Sequence, residues 1–284
     1  MKFKSIILLA LFSTLTSYGQ SVKNEINNIY SFKPSKLTDK ERELKMPALD
    51  GFWEKVKSDT LKNLPMLRKE LQANGHNPFF YYDGSGLLLS LTNNKADKEL
   101  AIEAISKCDL DDISQKMFVM TLNGLANEGF DVTKPAVKIL YEEDYSFYIP
   151  QHAMMFNQGY CLTYMLVPQK NENYVDTLTT IFKSLKTSAQ KAIVTTLWFS
   201  YTCKGDVFLK SVIEDNSLDS EVRDYAKKIL GYKNLSKDQL EYLKVISKGD
   251  IENIRNESLE RFSDEAIEEL DFATRVMRKD NNCH

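Results

Sequence analysis

The chain has few of the side chains that hold metals or act as nucleophiles. Its 284 residues include three histidines and four cysteines. The cysteines are widely and irregularly spaced, with no CxxC pair, which argues against a zinc site. We expect Cys108, Cys161 and Cys203 to be small buried apolar residues and Cys283 to be a loose thiol in the tail. If the protein is exported, some of these cysteines can pair as disulfides.

The short motifs of common enzyme classes are also missing. The sequence contains no HExxH, no GxSxG, no P-loop and no Rossmann fingerprint. Asp83-Gly84-Ser85-Gly86 is too short for a phosphate-binding loop and has no lysine, so we expect a turn in which Ser85 caps a helix over residues 86–91. Neighbouring acidic residues such as Glu142 and Glu143 fall at predicted helix ends, where carboxylates are typical of turns and caps. The sequence therefore predicts no catalytic residue, no metal and no cofactor.

A basic surface and a membrane span are lacking as well. The 37 lysines and arginines are outnumbered by 40 acidic residues, which argues against binding of nucleic acid. The one long apolar run, residues 6–15, follows Lys2 and Lys4 and precedes small residues at 17–19, as in a secretory signal peptide. We expect cleavage near Gly19 and a periplasmic or secreted mature chain without a membrane anchor.

No segment alternates apolar and polar residues between turn pairs, which is the pattern of a half-buried strand. The sequence instead repeats amphipathic helices joined by short polar turns. Residues 20–78 are expected to hold a linker and short helices, with a capping box at Thr38 and Glu41 and a break at Pro47 and Gly51. We therefore predict an all-α fold.

The clearest helix covers residues 219–231. Its apolar residues recur with the spacing of a single helix face: Val222, Tyr225, Ala226, Ile229 and Leu230. Asp219 is placed to cap the first turn, and Gly231 to end the helix. A helix this short needs a neighbour to cover its apolar face, and residues 206–214 supply one just upstream.

This pair of helices resembles a HEAT-type repeat. The family pattern begins with an acidic residue and ends with Leu-Gly. Six residues of this chain match it: Asp219, Val222, Arg223, Ala226, Leu230 and Gly231. A basic residue also aligns this unit with weaker units upstream, at Lys116, His152, Lys191 and Arg223. These residues are 36, 39 and 32 positions apart, which is near the period of helical repeats. The resemblance implies a right-handed α-α superhelix, here assigned to residues 79–234, with a charged helical cap over residues 235–284. The four basic residues either form a row on one face that binds an acidic partner, or form a structural ladder. In the ladder, each one contacts an acidic residue or free carbonyls of an adjoining turn.

Aromatic residues cluster more densely than one helix face can bury. Five residues on the second helices of the predicted pairs are candidates for a binding surface: His152, Tyr160, Tyr164, Trp198 and Tyr201. A thick core between irregular repeats is the alternative. We predict a non-catalytic scaffold that binds a protein or peptide, with an inhibitor or immunity-type role as one variant. The alternative function is an α/α-toroid-like enzyme that processes envelope glycan or peptide, which would need two converging carboxylates.

Overall fold

The computed structural model describes residues 24–31, 37–143, 145–149, 154–169, 171–200 and 202–231. These residues are mostly helical and form two compact units, divided between Ser114 and Gln115. None of the helices described is long and apolar enough to cross a membrane. The predicted signal peptide and the predicted C-terminal cap lie outside the described residues.

The first unit consists of helices. They are α1 (residues 24–29), α2 (Asp39–Ser58), α3 (Thr60–Gln72), α4 (Pro78–Leu91) and α5 (Lys95–Ile105), followed by a 3-10 turn at Leu110–Asp112.

Helix α2 confirms one local prediction and corrects another. The Thr38 hydroxyl accepts the Glu41 backbone N–H at 3.3 Å, and the Glu41 carboxylate accepts the Thr38 backbone N–H at 2.9 Å, which completes the predicted capping box. The predicted break at Pro47 and Gly51 is wrong, because α2 runs through both residues. Pro47 lies on the exposed side, where water can hydrate the carbonyl that the proline leaves without a partner.

The predicted turn at Asp83–Gly86 is also wrong, since these residues lie inside α4. Gly84 lets α3 and α4 approach closely: a Cβ at this position would lie 3.0 Å from Leu71 Cδ2. The Ser85 hydroxyl donates to the carbonyl of Tyr81 in its own helix, at 2.5 Å, instead of capping a new helix. The close contact between α3 and α4 therefore requires glycine at this position, although the local sequence had predicted a turn.

The second unit contains helices and one short hairpin. Its elements are α6 (Gln115–Asn127), α7 (Thr133–Ala136) with a 3-10 turn (Val137–Tyr141), β1 (Phe147–Ile149), β2 (Met154–Phe156), α8 (Gln158–Leu166), α9 (Asn173–Ile181) with a 3-10 turn (Phe182–Ser184), α10 (Thr187–Ser200), α11 (Cys203–Glu214) and α12 (Ser220–Gly231).

The hairpin corrects the prediction that the chain has no strand. Strands β1 and β2 pair antiparallel, with Phe147 opposite Phe156. These two rings stack at 5.1 Å between centroids, and such cross-strand aromatic pairs stabilise short ribbons. The sequence had placed His152 on the second helix of this unit. That residue lies outside the described residues, and the helix begins at Gln158, after Asn157 as its N-cap.

Helix α10 packs against both α8 and α12, and this contact forms the core of the second unit. On the α8 side, the Thr163 and Thr196 hydroxyls are hydrogen-bonded at 3.2 Å. On the α12 side, the Thr195 hydroxyl is 2.9 Å from the Tyr225 hydroxyl. In α12 itself, Val222, Ala226 and Ile229 are buried, as their spacing had predicted.

Candidate functional site

Helix α8 carries the candidate site, and its neighbours hold it in place. The Gln158 side-chain amide donates to the Ile139 carbonyl at 2.6 Å, which ties the start of the helix to the 3-10 turn before the hairpin. Near the other end, the Asn123 side-chain amide of α6 donates to the Tyr164 carbonyl at 2.6 Å. Gly159 faces α10 so closely that a Cβ would lie 3.3 Å from Ala192 Cα. The side chains that α8 presents are therefore fixed by three surrounding elements.

A series of aromatic side chains crosses this helix, and we refer to it as the aromatic row. Its members are Phe147, Phe156, Tyr164, Tyr160, Phe199 and Trp198. The Phe156 ring meets the Tyr164 ring edge-on at 5.6 Å, and the Tyr160 ring stacks on Phe199 at 6.2 Å. Tyr160 and Tyr164 are four residues apart on α8, so they share one face of the helix. The ring contacts and this shared face connect the hairpin to α10.

The exposure of the rings decreases along the row, from half-buried rings at the hairpin and α8 to buried rings on α10. Phe147, Phe156, Tyr160 and Tyr164 are each half-buried, so part of every ring faces the surface. Trp198 and Phe199 retain 5% exposure each, and their rings meet edge-on at 4.5 Å. The outer four rings offer apolar surface to a ligand, while the inner two support them from the core.

Among the candidate residues predicted from sequence, the structure brings Tyr160 and Tyr164 onto one surface and places Trp198 behind it. His152 and Tyr201 lie outside the described residues. Phe147 and Phe156 were not among the predicted site residues, because no strand was predicted for the chain. The hairpin places the two phenylalanines opposite each other, and a search for aromatic pairs on either side of a turn could have found them.

Three cysteines lie in the part of the chain that the structure describes, and none of them is an exposed free thiol. Cys161 is buried in α8, and burial raises the pKa of its thiol to about 12, so the reactive thiolate is disfavoured. Cys108 is also buried, as predicted. Cys203 is exposed and disulfide-bonded, which corrects the prediction of a small buried residue. Among the residues described, no three His, Cys, Asp or Glu side chains are grouped so as to hold a metal ion.

Two basic residues of the predicted ladder, Lys191 and Arg223, make internal contacts. The Lys191 amino group pairs with Glu221 of α12 and lies 5.7 Å from the centre of the Tyr225 ring. The Arg223 guanidinium donates to the Asn216 side-chain oxygen at 2.9 Å. These contacts favour the structural alternative at both positions.

Comparison of the chain with protein families, with characterised proteins and with solved structures gives no match.

Proposed function

We propose that this protein binds a protein or peptide partner through the aromatic row and catalyses no reaction. The observation that carries the proposal is the group of four half-buried rings that α8 and the hairpin hold in place: Phe147, Phe156, Tyr160 and Tyr164. Rings of this kind supply large contact areas at a small entropic cost, because few rotatable bonds must be fixed. Tyrosine also carries a hydroxyl at its tip, which suits the polar edge of an interface.

We further propose that the helices belong to a HEAT-like superhelix in an exported protein. The resemblance of α11 and α12 to one repeat supports this, as does the packing of α10 against both α8 and α12. The export proposal is supported by the N-terminal sequence alone, through Lys2, Lys4 and the apolar run that follows. An enzyme acting on envelope glycan or peptide stays an alternative prediction, and no contact among the described residues favours it over binding.

The binding proposal is tested with phage-displayed random peptides selected on the purified mature chain. A selected peptide is then titrated against the parent and against Tyr160→Ala and Tyr164→Ala. We expect each variant to weaken binding by at least about 1 kcal/mol, since central aromatic residues dominate such interfaces. Tyr141→Ala is the matched control, because Tyr141 is 63% exposed and takes no part in the row.

Melting temperatures measured on the same variants separate binding from folding. The proposal holds if Tyr160→Ala and Tyr164→Ala melt close to the parent yet bind weakly. If both variants melt early and lose affinity only through unfolding, the rings are core residues and the proposal is wrong. Unchanged affinity in both folded variants would also contradict it.

A further inference from the structure

A histidine and a glutamate face each other inside the first unit. The Glu70 carboxylate oxygen Oε2 lies 2.9 Å from His76 Nε2, and their side chains are 5% and 0% exposed. The other ring nitrogen, Nδ1, is 3.3 Å from the Asn27 side-chain oxygen of α1. Both ring nitrogens therefore face oxygen acceptors. An imidazole donates at both nitrogens only when it carries two protons.

Burial restricts the charges that this pair can adopt. Within the part of the chain that the structure describes, His76 is the one group that hydrogen-bonds the Glu70 carboxylate. Removing the imidazole proton would leave a buried carboxylate without a cation, and protonating both groups would leave a buried cation without an anion. Either state is costly away from water, whereas the pair with one shared proton is neutral overall.

Other ionisable groups lie near His76 on the elements that pack against it. From α4, the Tyr81 hydroxyl accepts the His76 backbone N–H at 3.3 Å, and burial raises the pKa of Tyr81 above its ordinary value. Behind Tyr81, the Lys107 amino group lies 5.0 Å from the ring centre and donates to the Leu71 carbonyl, and Cys108 is a buried thiol. From α1, Asn27 is neutral, and Glu25 pairs with Lys55 at the surface.

We propose that Glu70 and His76 hold one proton in the folded protein, which makes the first unit a pH-sensitive element that loosens above neutral pH. The sign follows from counting protons. In the unfolded chain, histidine releases its proton near pH 6.5 and glutamate near pH 4.3, both to within about one unit. Above about pH 6.5 the folded pair keeps a proton that the unfolded chain has lost, so stability falls as pH rises. Below about pH 4.3 the unfolded chain binds two protons and the folded pair one, so stability falls again.

The test uses the full mature chain with Trp198→Phe, so that Trp53 in the first unit is the one remaining tryptophan and reports its unfolding. Unfolding in urea is followed by Trp53 fluorescence between pH 5 and pH 9. We expect the folding equilibrium constant to fall by up to about tenfold per pH unit above about pH 6.5. In the double variant Glu70→Gln/His76→Gln this dependence should disappear. Glu25→Gln, which changes a half-buried carboxylate on α1 that pairs with Lys55, should retain it.

A second measurement keeps the proposal testable if the double variant does not fold. The ring signal of His76 is followed by NMR in the parent chain, and is assigned by elimination with His152→Gln and His284→Gln. We expect this signal to show no midpoint near pH 6.5 and to report a charged or proton-sharing ring up to at least about pH 8. An ordinary midpoint near pH 6.5, or an unchanged pH dependence in a folded double variant, would overturn the proposal.

Discussion

The two units bury different kinds of polar groups. Among the described residues, the buried carboxylates and the buried imidazole all lie in the first unit: Glu70, His76 and Asp97. The second unit buries neutral hydroxyls and amides, such as Thr163 and Thr196, and every ion pair described in it has at least one exposed side chain. Both units are helical, yet the first depends on charges that titrate and the second on close packing of small side chains.

This difference separates two ways of controlling stability within one chain. Buried titratable groups make a fold respond to pH, because their protons are bound differently in the folded and unfolded states. Threonine and glycine contacts between helices do not titrate, so they respond to changes in volume instead. The aromatic row lies in the second unit, and the binding surface proposed there rests on a core that pH should leave largely unaffected.

The largest expected effect comes from placing a charge in the packed core of the second unit. Ala226 is fully buried on α12, so Ala226→Glu introduces a carboxylate without a partner. We expect a loss of about 3–5 kcal/mol in the free energy of unfolding, measured by urea denaturation. Ser220→Glu, at the exposed start of the same helix, should change it by no more than about 0.5 kcal/mol. Equal behaviour of the two variants would mean that this face of α12 is not in the core.

An intermediate effect is expected from Asp97, one of the two buried carboxylates described in the first unit. Arg68 contacts Asp97 through two hydrogen bonds of 2.7 and 2.8 Å, which lower the pKa of Asp97 to about 2. Because the pKa in the folded state lies below its ordinary value, this carboxylate stabilises the fold above about pH 4. The contribution is lost as pH falls from about 4 towards about 2. Asp97→Asn should therefore cost about 2 kcal/mol at neutral pH and progressively less in acid.

Unfolding of the Asp97→Asn variant is followed through Trp53 fluorescence at several pH values, again in the Trp198→Phe background. The matched control is Asp176→Asn, which removes an exposed carboxylate that pairs with Lys204 at 2.9 Å in the second unit. Exposed pairs contribute little, so this change should stay within about 0.5 kcal/mol at every pH. A constant difference between Asp97→Asn and the parent down to pH 2 would argue against the assigned titration.

The smallest effect distinguishes two glycines within the second unit. A Cβ at residue 159 would lie 3.2 Å from Thr195 Cβ and close to the α10 backbone, so Gly159→Ala should destabilise by about 1–2 kcal/mol. Gly124 on α6 has open space around it, so Gly124→Ala should stabilise by about 0.4–1 kcal/mol, because alanine restricts the unfolded chain. Thermal unfolding of both variants shows whether each substitution raises or lowers the stability of the fold. Stabilisation by both would show that α8 and α10 can separate without cost.

About the site, the sequence predicted the aromatic excess and the placement of Tyr160 and Tyr164 on one helix. It did not predict Phe147 and Phe156, because three-residue strands are too short to show an alternating pattern. The sequence also did not show which aromatic rings lie at the surface and which lie in the core. Tyr164 is half-buried and Trp198 is buried, although both occur in helices rich in apolar residues.

The sequence by itself determined most of the helices and several of their caps. A helix is specified by side chains three and four residues apart and by caps within its first turn, so α3, α12 and the Thr38 capping box could be predicted locally. Tertiary structure decided the course of α2 through Pro47, the helical state of Asp83–Gly86, and the pairing of His76 with Glu70 and Asn27. Asn27 and His76 are 49 residues apart in the chain. No local pattern encodes such a contact, because it forms only when packing brings distant segments together and removes water from between them.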